Sequence, residues 1–181
     1  MHAYRQSPRT RRRVLHAGVG LAWALAAQAL ATEGPAVAPV GGTVAASPAG
    51  AFWTPLQEGA RRGEVTVVLF SLQGCGLCEA VRREQLQPLA RARLPGYRSV
   101  DLDLADARAF ADARRHPERD ASSQALARRL DVRVAPTLVF LGPAGEELAE
   151  RLVGYGSRDF YGAYLEARIA QARERLAAPK R

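Results

Sequence analysis

The 181-residue chain is poor in the side chains that build metal and haem centres: it has two cysteines and three histidines, and His2 and His16 fall near its start. A tetrahedral zinc site takes about four ligands, and beyond Cys75 and Cys78 the body of the chain offers His116 alone. Covalent haem attachment asks for a histidine directly after the second cysteine, and Glu79 stands there. Lysine is almost absent too. Lys180 is the only one among 26 basic residues, which marks an arginine- and alanine-biased composition. Acids are missing from residues 1–31, which hold five arginines. The remaining 21 basic residues stand against 18 acids and are interspersed with them, so the formal charge of +8 has no basic stripe behind it. A nucleic-acid face gathers its cations and aromatics on one side, and no nucleic-acid partner is expected. Long hydrophobic runs are lacking as well. The apolar stretch before Ala31 is near the short limit for crossing a bilayer, and Gln28 interrupts it. No internal repeat is visible.

What is present at the N-terminus has the three parts of an export signal: a basic region ending at Arg13, an Ala/Leu/Trp-rich stretch, and Ala29-Leu30-Ala31 as a cleavage motif. Thr10-Arg11-Arg12-Arg13-Val14-Leu15-His16 resembles the twin-arginine export motif, with an ordinary arginine-rich secretory signal as the alternative. Either route delivers the chain to an extracytoplasmic compartment, expected to be a bacterial periplasm, where disulfides persist. An uncleaved signal would leave the protein tethered to the membrane. Residues 32–50 are small and rich in Gly and Pro, and read as a flexible linker ahead of one domain over 51–181.

Within that domain strands and helices alternate. Phe52 and Trp53 open a short amphipathic helix to about Arg62. Residues 65–71 are a continuous apolar run, the mark of a strand buried on both faces. Residues 76–87 read as a helix that Pro88 ends or kinks. From Tyr97 to Leu104, Val100, Leu102 and Leu104 alternate with Ser99, Asp101 and Asp103, which predicts a strand with one less-buried face. Residues 105–115 and 122–130 read as two helices separated by the polar break 116–120. Thr137–Leu141 and Glu147–Val153 read as a hairpin about the turn Gly142–Gly145. Residues 158–176 close the domain as a helix whose stripe is Phe160, Tyr161, Tyr164, Leu165, Ile169, Ala172 and Leu176. From Glu64 onward the order is β-α-β-α-β-β-α.

The only two cysteines form Gly74-Cys75-Gly76-Leu77-Cys78, at the junction of the first core strand and its helix. A thiol at a helix N-terminus meets free amides and peptide dipoles, which stabilise its thiolate. A disulfide across so short a loop constrains the unfolded chain little, which argues against a purely stabilising bridge. Two thiolates also suit Cu(I), so metal carriage stays open beside thiol–disulfide exchange. His116 reads as a solvated loop histidine, Glu79 as a first-turn helix acid, and Gly154-Tyr155-Gly156 as a turn that could lie near the active face. Phe160, Tyr161 and Tyr164 read as helix core.

Together with Val134-Ala135-Pro136-Thr137 ahead of the hairpin, the Cys-x-x-Cys makes residues 52–178 resemble the thioredoxin superfamily. The resemblance implies a thioredoxin fold: a central mixed sheet flanked by helices, with a βαβαββα core and here an added helical segment over about 105–122. It implies a thiol–disulfide oxidoreductase whose redox group is the Cys75–Cys78 pair itself, with no other cofactor and no metal. Cys75 would attack and Cys78 resolve. Gly76, Leu77, Ala135, Pro136 and Thr137 would meet the substrate chain, with Pro136 at the family's cis-proline position. Leu69 stands where the family has a buried aspartate, Gly74 where a tryptophan often precedes the motif, and Leu77 where many members have proline. These departures resemble the periplasmic members. They imply a monomer that reduces disulfides of partner proteins and draws electrons from a membrane thiol relay. Oxidase or isomerase activity is the alternative direction.

Overall fold

The computed structural model describes Ala45–Ala46 and residues 50–92 and 94–179. The export signal and most of the linker lie outside the described residues. Ala45–Ala46 (β1) is the exception: it pairs in parallel with Val100 and Asp101, so two residues of the expected linker form a strand.

The apolar run Val65–Ser71 (β2) is buried along its whole length. It is flanked in parallel by Tyr97–Asp103 (β3) and in antiparallel by Thr137–Leu141 (β4), which pairs with Glu147–Val153 (β5). The five strands stand in the order β1-β3-β2-β4-β5. Alternation divides the sheet into two cores. Val65, Val67, Leu69, Leu138 and Phe140 face one side, under Gly76–Val81 (α2) and the long C-terminal helix Arg158–Ala177 (α5). Val68, Phe70, Val100, Leu102, Val139 and Leu141 face the other, under Trp53–Arg61 (α1) and Ser123–Arg129 (α4). Side chains two apart on a strand share a face, so each strand serves both layers.

Four local expectations are corrected. Pro88 does not end its helix. The rod continues from α2 through one wide turn, Arg82–Leu86, into Gln87–Arg91 (α3). The Gln87 amide there reaches back to the Arg82 carbonyl, five residues away. Widening the turn just ahead of Pro88 accommodates a residue that has no amide proton and whose ring crowds the preceding carbonyls.

The face of β3 expected to be the less buried one is as buried as the other along Ser99 and Asp101, and only Asp103 at its end is half-buried. Ser99 and Asp101 are buried at 1% and 5% exposure: β1 pairs along the strand's outer edge, and Arg82 of the wide turn reaches over to Asp101.

Residues 105–115 are not a helix despite their alanines. Asp103 Oδ1 accepts the Ala105 amide at 2.8 Å and Asp106 Oδ1 accepts the Arg108 amide at 3.0 Å. Such side-chain turns compete with helical hydrogen bonds. Phe110 is drawn into the core, where it stacks on Phe52 at 4.9 Å, and only Ala113–Arg115 makes a 3₁₀ turn. The added segment is therefore chiefly a folded loop. It holds α1 from outside: α1 has no cap of its own, and Asp112 accepts the Phe52 and Thr54 amides at 3.0 and 2.7 Å.

On α5, Tyr161, Leu165, Ile169 and Ala172 are buried, but Phe160 and Tyr164 are exposed, at 64% and 55%. The stripe is narrower than the sequence suggests, because α5 meets the sheet along one line of contact.

Candidate active site

Strand β2 runs out at Ser71, and the chain turns through Gly74, whose φ of +73° suits a glycine, into α2. Cys75 is the residue that opens the helix. Its sulfur accepts the Cys78 amide at 3.1 Å, so one free N–H of the first turn points at it. Cys75 and Cys78 are joined by a disulfide, with Cα atoms 5.3 Å apart. Their surroundings differ. Cys75 is half-buried, while Cys78 is 1% exposed against the sheet. Gly76 and Leu77 between them are exposed, Leu77 at 49%.

Thr137 pairs with Phe70 on one side and Val153 on the other. This register puts Ala135-Pro136 at the end of the sheet where β2 delivers the cysteines. The Ala135–Pro136 peptide is cis, and the Thr137 hydroxyl donates to the Val134 carbonyl at 2.8 Å. The segment after β5 comes to the same place: the Gly154 amide donates to the Pro136 carbonyl at 2.8 Å. Gly154-Tyr155-Gly156 is thus more than a turn. The buried Tyr155 hydroxyl donates to Glu84 at 2.9 Å and accepts from Gln85 at 2.8 Å, tying the loop to the rod that carries the cysteines. That hydrogen bond is the first cause holding the Glu84 carboxyl below its ordinary range.

The sequence gives no acid at position 69, yet a carboxylate reaches this region from the next strand. Asp101 pairs in register with Leu69 and therefore faces the α2 side. It accepts the Ser71 hydroxyl and the Arg82 Nε at 2.7 Å, and Arg82 also pairs with Glu79. Burial pulls the Arg82 guanidinium down, but Asp101 and Glu79 outweigh it and hold it above its usual value. The signal for this group was an acid at the alternate position of a strand, which reads equally well as a solvent-facing residue. His116 is not solvated as expected. Its side chain is 14% exposed, and its Nε2 lies 3.2 Å from the Thr54 hydroxyl.

A cavity of about 490 Å³ opens beside the disulfide, with Cys75 and Gly76 in its wall. A larger one, about 650 Å³, sits under the β4–β5 turn between Arg61, Arg119 and Arg175, and holds neither cysteine. Among the described residues no group of three or more His, Cys, Asp or Glu is placed to hold a metal.

A sheet of this order, with the dithiol at the head of its first crossover helix, defines a class, and comparison with known proteins agrees. Residues 56–169 match the thioredoxin-like domain, and the chain belongs to that family. A solved structure of spinach chloroplast thioredoxin F, in its short form, is 21% identical. The match covers 74% of this chain and 96% of that one with a TM-score of 0.51, a likeness of fold. Oxidised mitochondrial thioredoxin 3 from Saccharomyces cerevisiae is also 21% identical over 67% of this chain and 93% of its own, with a TM-score of 0.44. No curated protein matches the chain. A thioredoxin-like domain with a Cys-x-x-Cys disulfide is a thiol–disulfide oxidoreductase by class.

Proposed function

We propose that the protein is an exported reductase of protein disulfides, in which Cys75 is the attacking sulfur and Cys78 the resolving one. The observation that carries this reading is the asymmetry of the pair: one sulfur half-buried in the wall of an open cavity, its partner sealed against the core. In the reduced protein the Cys75 thiolate, favoured by the Cys78 amide, attacks one sulfur of a substrate disulfide. That S–S bond breaks, the departing substrate sulfur takes a proton from water, and a mixed disulfide forms. Cys78 then loses its proton and attacks the Cys75 sulfur. The mixed disulfide breaks and the second substrate thiol leaves. The substrate has gained two electrons and two protons, and the protein is left in the closed form described above.

Ala135, just ahead of Pro136, offers main-chain groups to an extended substrate segment. Pairing of that kind tolerates varied side chains. Thr137, expected to join Ala135 in this, is 1% exposed and paired with strands on both sides, so it supports the segment from within the sheet. Gly76 leaves room over the disulfide, and the exposed Leu77 supplies apolar contact. Reopening the disulfide draws on a dithiol outside the chain, for which a membrane thiol relay is the fitting donor in a periplasm. The N-terminal arginines and A-x-A motif support that location. The test is reduction of a model disulfide by wild type, Cys75→Ser and Cys78→Ser. Wild type should turn over at least about a thousandfold faster than Cys75→Ser, and Cys78→Ser should trap the mixed disulfide. Equal rates for all three sink the reading, and stoichiometric Cu(I) without turnover would make the protein a carrier. Net oxidation of substrate dithiols would reverse the proposed direction.

A further inference from the structure

The cavity beside Cys75 is walled on one side by the added segment, and its charge is opposite to that of the chain. Four carboxylates (Glu79, Asp101, Asp103, Asp106) and two guanidiniums (Arg82, Arg108) line it, in a protein of formal charge +8. Three of the carboxylates are engaged. Arg82 is shared between Asp101 and Glu79, and Arg108 is spent on Asp106 through two contacts of 3.0 Å. The hydrogen bonds from Arg108 hold the Asp106 carboxyl below its usual range, so it stays charged. The Asp103 carboxylate accepts the Ala105 amide and forms no salt bridge among the described residues, although its charge acts on Arg108 from a distance. The remaining wall is mixed: Ser71, Gln73 and Ser123 are polar, while Leu72, 41% exposed at the rim, and the buried Leu102 and Phe110 are apolar.

We propose that this cavity is a subsite for a lysine or arginine side chain of the substrate protein, placed next to the disulfide that Cys75 attacks. A long aliphatic stem ending in a cation matches the wall: the stem lies along Leu72, and the charged head meets Asp103. Cys75 itself lines the cavity, so any chain joined to it in a mixed disulfide must pass the mouth. The subsite rests on the exchange reading above and names the class of substrate it favours. It also gives the added segment a task, since that segment supplies Asp106, Arg108 and Phe110.

The experiment uses three disulfide peptides, identical except for an Arg, Ala or Glu beside the target cysteine, and reads kcat/KM at low and high salt. Exposed charge contacts each change affinity by a small factor, so the Arg peptide should exceed the Glu peptide about tenfold at low salt and less at high salt. In Asp103→Asn, which keeps an oxygen for the Ala105 amide, that ratio should fall to about a third, and Asp103→Glu should keep it. A wild-type ratio within about twofold of one, or the same ratio in Asp103→Asn as in wild type, overturns the subsite while leaving exchange intact. No turnover of any peptide overturns both.

Discussion

Two regions at the disulfide end of the sheet are built in different ways. Around Pro136 the framework is chiefly main chain: the Gly154 amide bonds the Pro136 carbonyl, β4 pairs on both sides, and one small hydroxyl, of Thr137, adds a bond to the Val134 carbonyl. Around Asp101 the framework is side-chain charge: Ser71, Arg82 and Glu79 converge on one buried carboxylate and its guanidinium. A main-chain framework leaves little for side-chain identity to decide, and suits general recognition of an extended chain. A charged framework depends on each partner, and a lost member leaves the others with uncompensated charge. The contrast predicts different sensitivities to single substitutions.

The largest effect on stability is expected at Asp101→Ala. Asp101 is 5% exposed and its Arg82 partner 24% exposed at the side chain. Removing one member of a fully buried pair costs about 3–5 kcal/mol; Arg82 can turn partly to water, so about 2 kcal/mol is expected in denaturant unfolding. The Ser71 hydroxyl loses its acceptor as well. A cost under about 0.5 kcal/mol would mean that Arg82 is already solvated, and the contrast between the regions would fail.

The same contrast explains what was legible in the sequence. The Pro136 region was readable because its parts are fixed by type and order: an apolar run, Cys75 and Cys78 three apart, and Pro136 opening a hairpin strand. Strands β2, β4 and β5 and helices α1 and α5 fell close to their expected bounds for a related reason. Their periodicity is local. The Asp101 region was not readable, because its residues lie on β2, α2 and β3 and meet only through the register that pairs Leu69 with Asp101. Alternation in β3 gave the right faces but the wrong environment, since a polar face looks the same whether water or Arg82 covers it. Residues 105–115 misled for the opposite reason. Helix propensity there is high, but Asp103, Asp106 and Asp112 spend their carboxylates on backbone amides, and Phe110 is worth more in the core than on a helix surface.

A second, smaller effect tests how firmly the added segment is held. Asp112 caps α1 across 58 and 60 residues of sequence. Burial works to raise its carboxyl pKa, but the Thr54 and Phe52 amides outweigh burial and hold it below the ordinary value. A depressed folded pKa stabilises the protein fully above the unfolded value, about 3.9 for aspartate, and the gain is lost as pH falls through the folded value. Asp112→Asn should therefore cost about 1–1.5 kcal/mol at pH 7. Its difference from wild type should shrink as pH drops below about 4 in urea titrations. A difference that stays constant with pH would mean the carboxylate's charge plays no part.

The smallest effect is expected at Tyr155→Phe, which removes the longest-range side-chain tie of the Pro136 region. The substitution removes the hydroxyl that joins Glu84 and Gln85 to the Gly154 loop, and keeps the ring that packs edge-on against Tyr161 at 4.8 Å. Both partners are half-buried and can bond water instead, so the loss should be about 0.5–1 kcal/mol. The Gly154–Pro136 bond survives it, since neither group belongs to the side chain. Measured beside Asp101→Ala under the same conditions, Tyr155→Phe should be clearly the milder change. If it costs as much, the loop is held by its tyrosine rather than by its main chain, and the Pro136 region would be as dependent on single side chains as the Asp101 region.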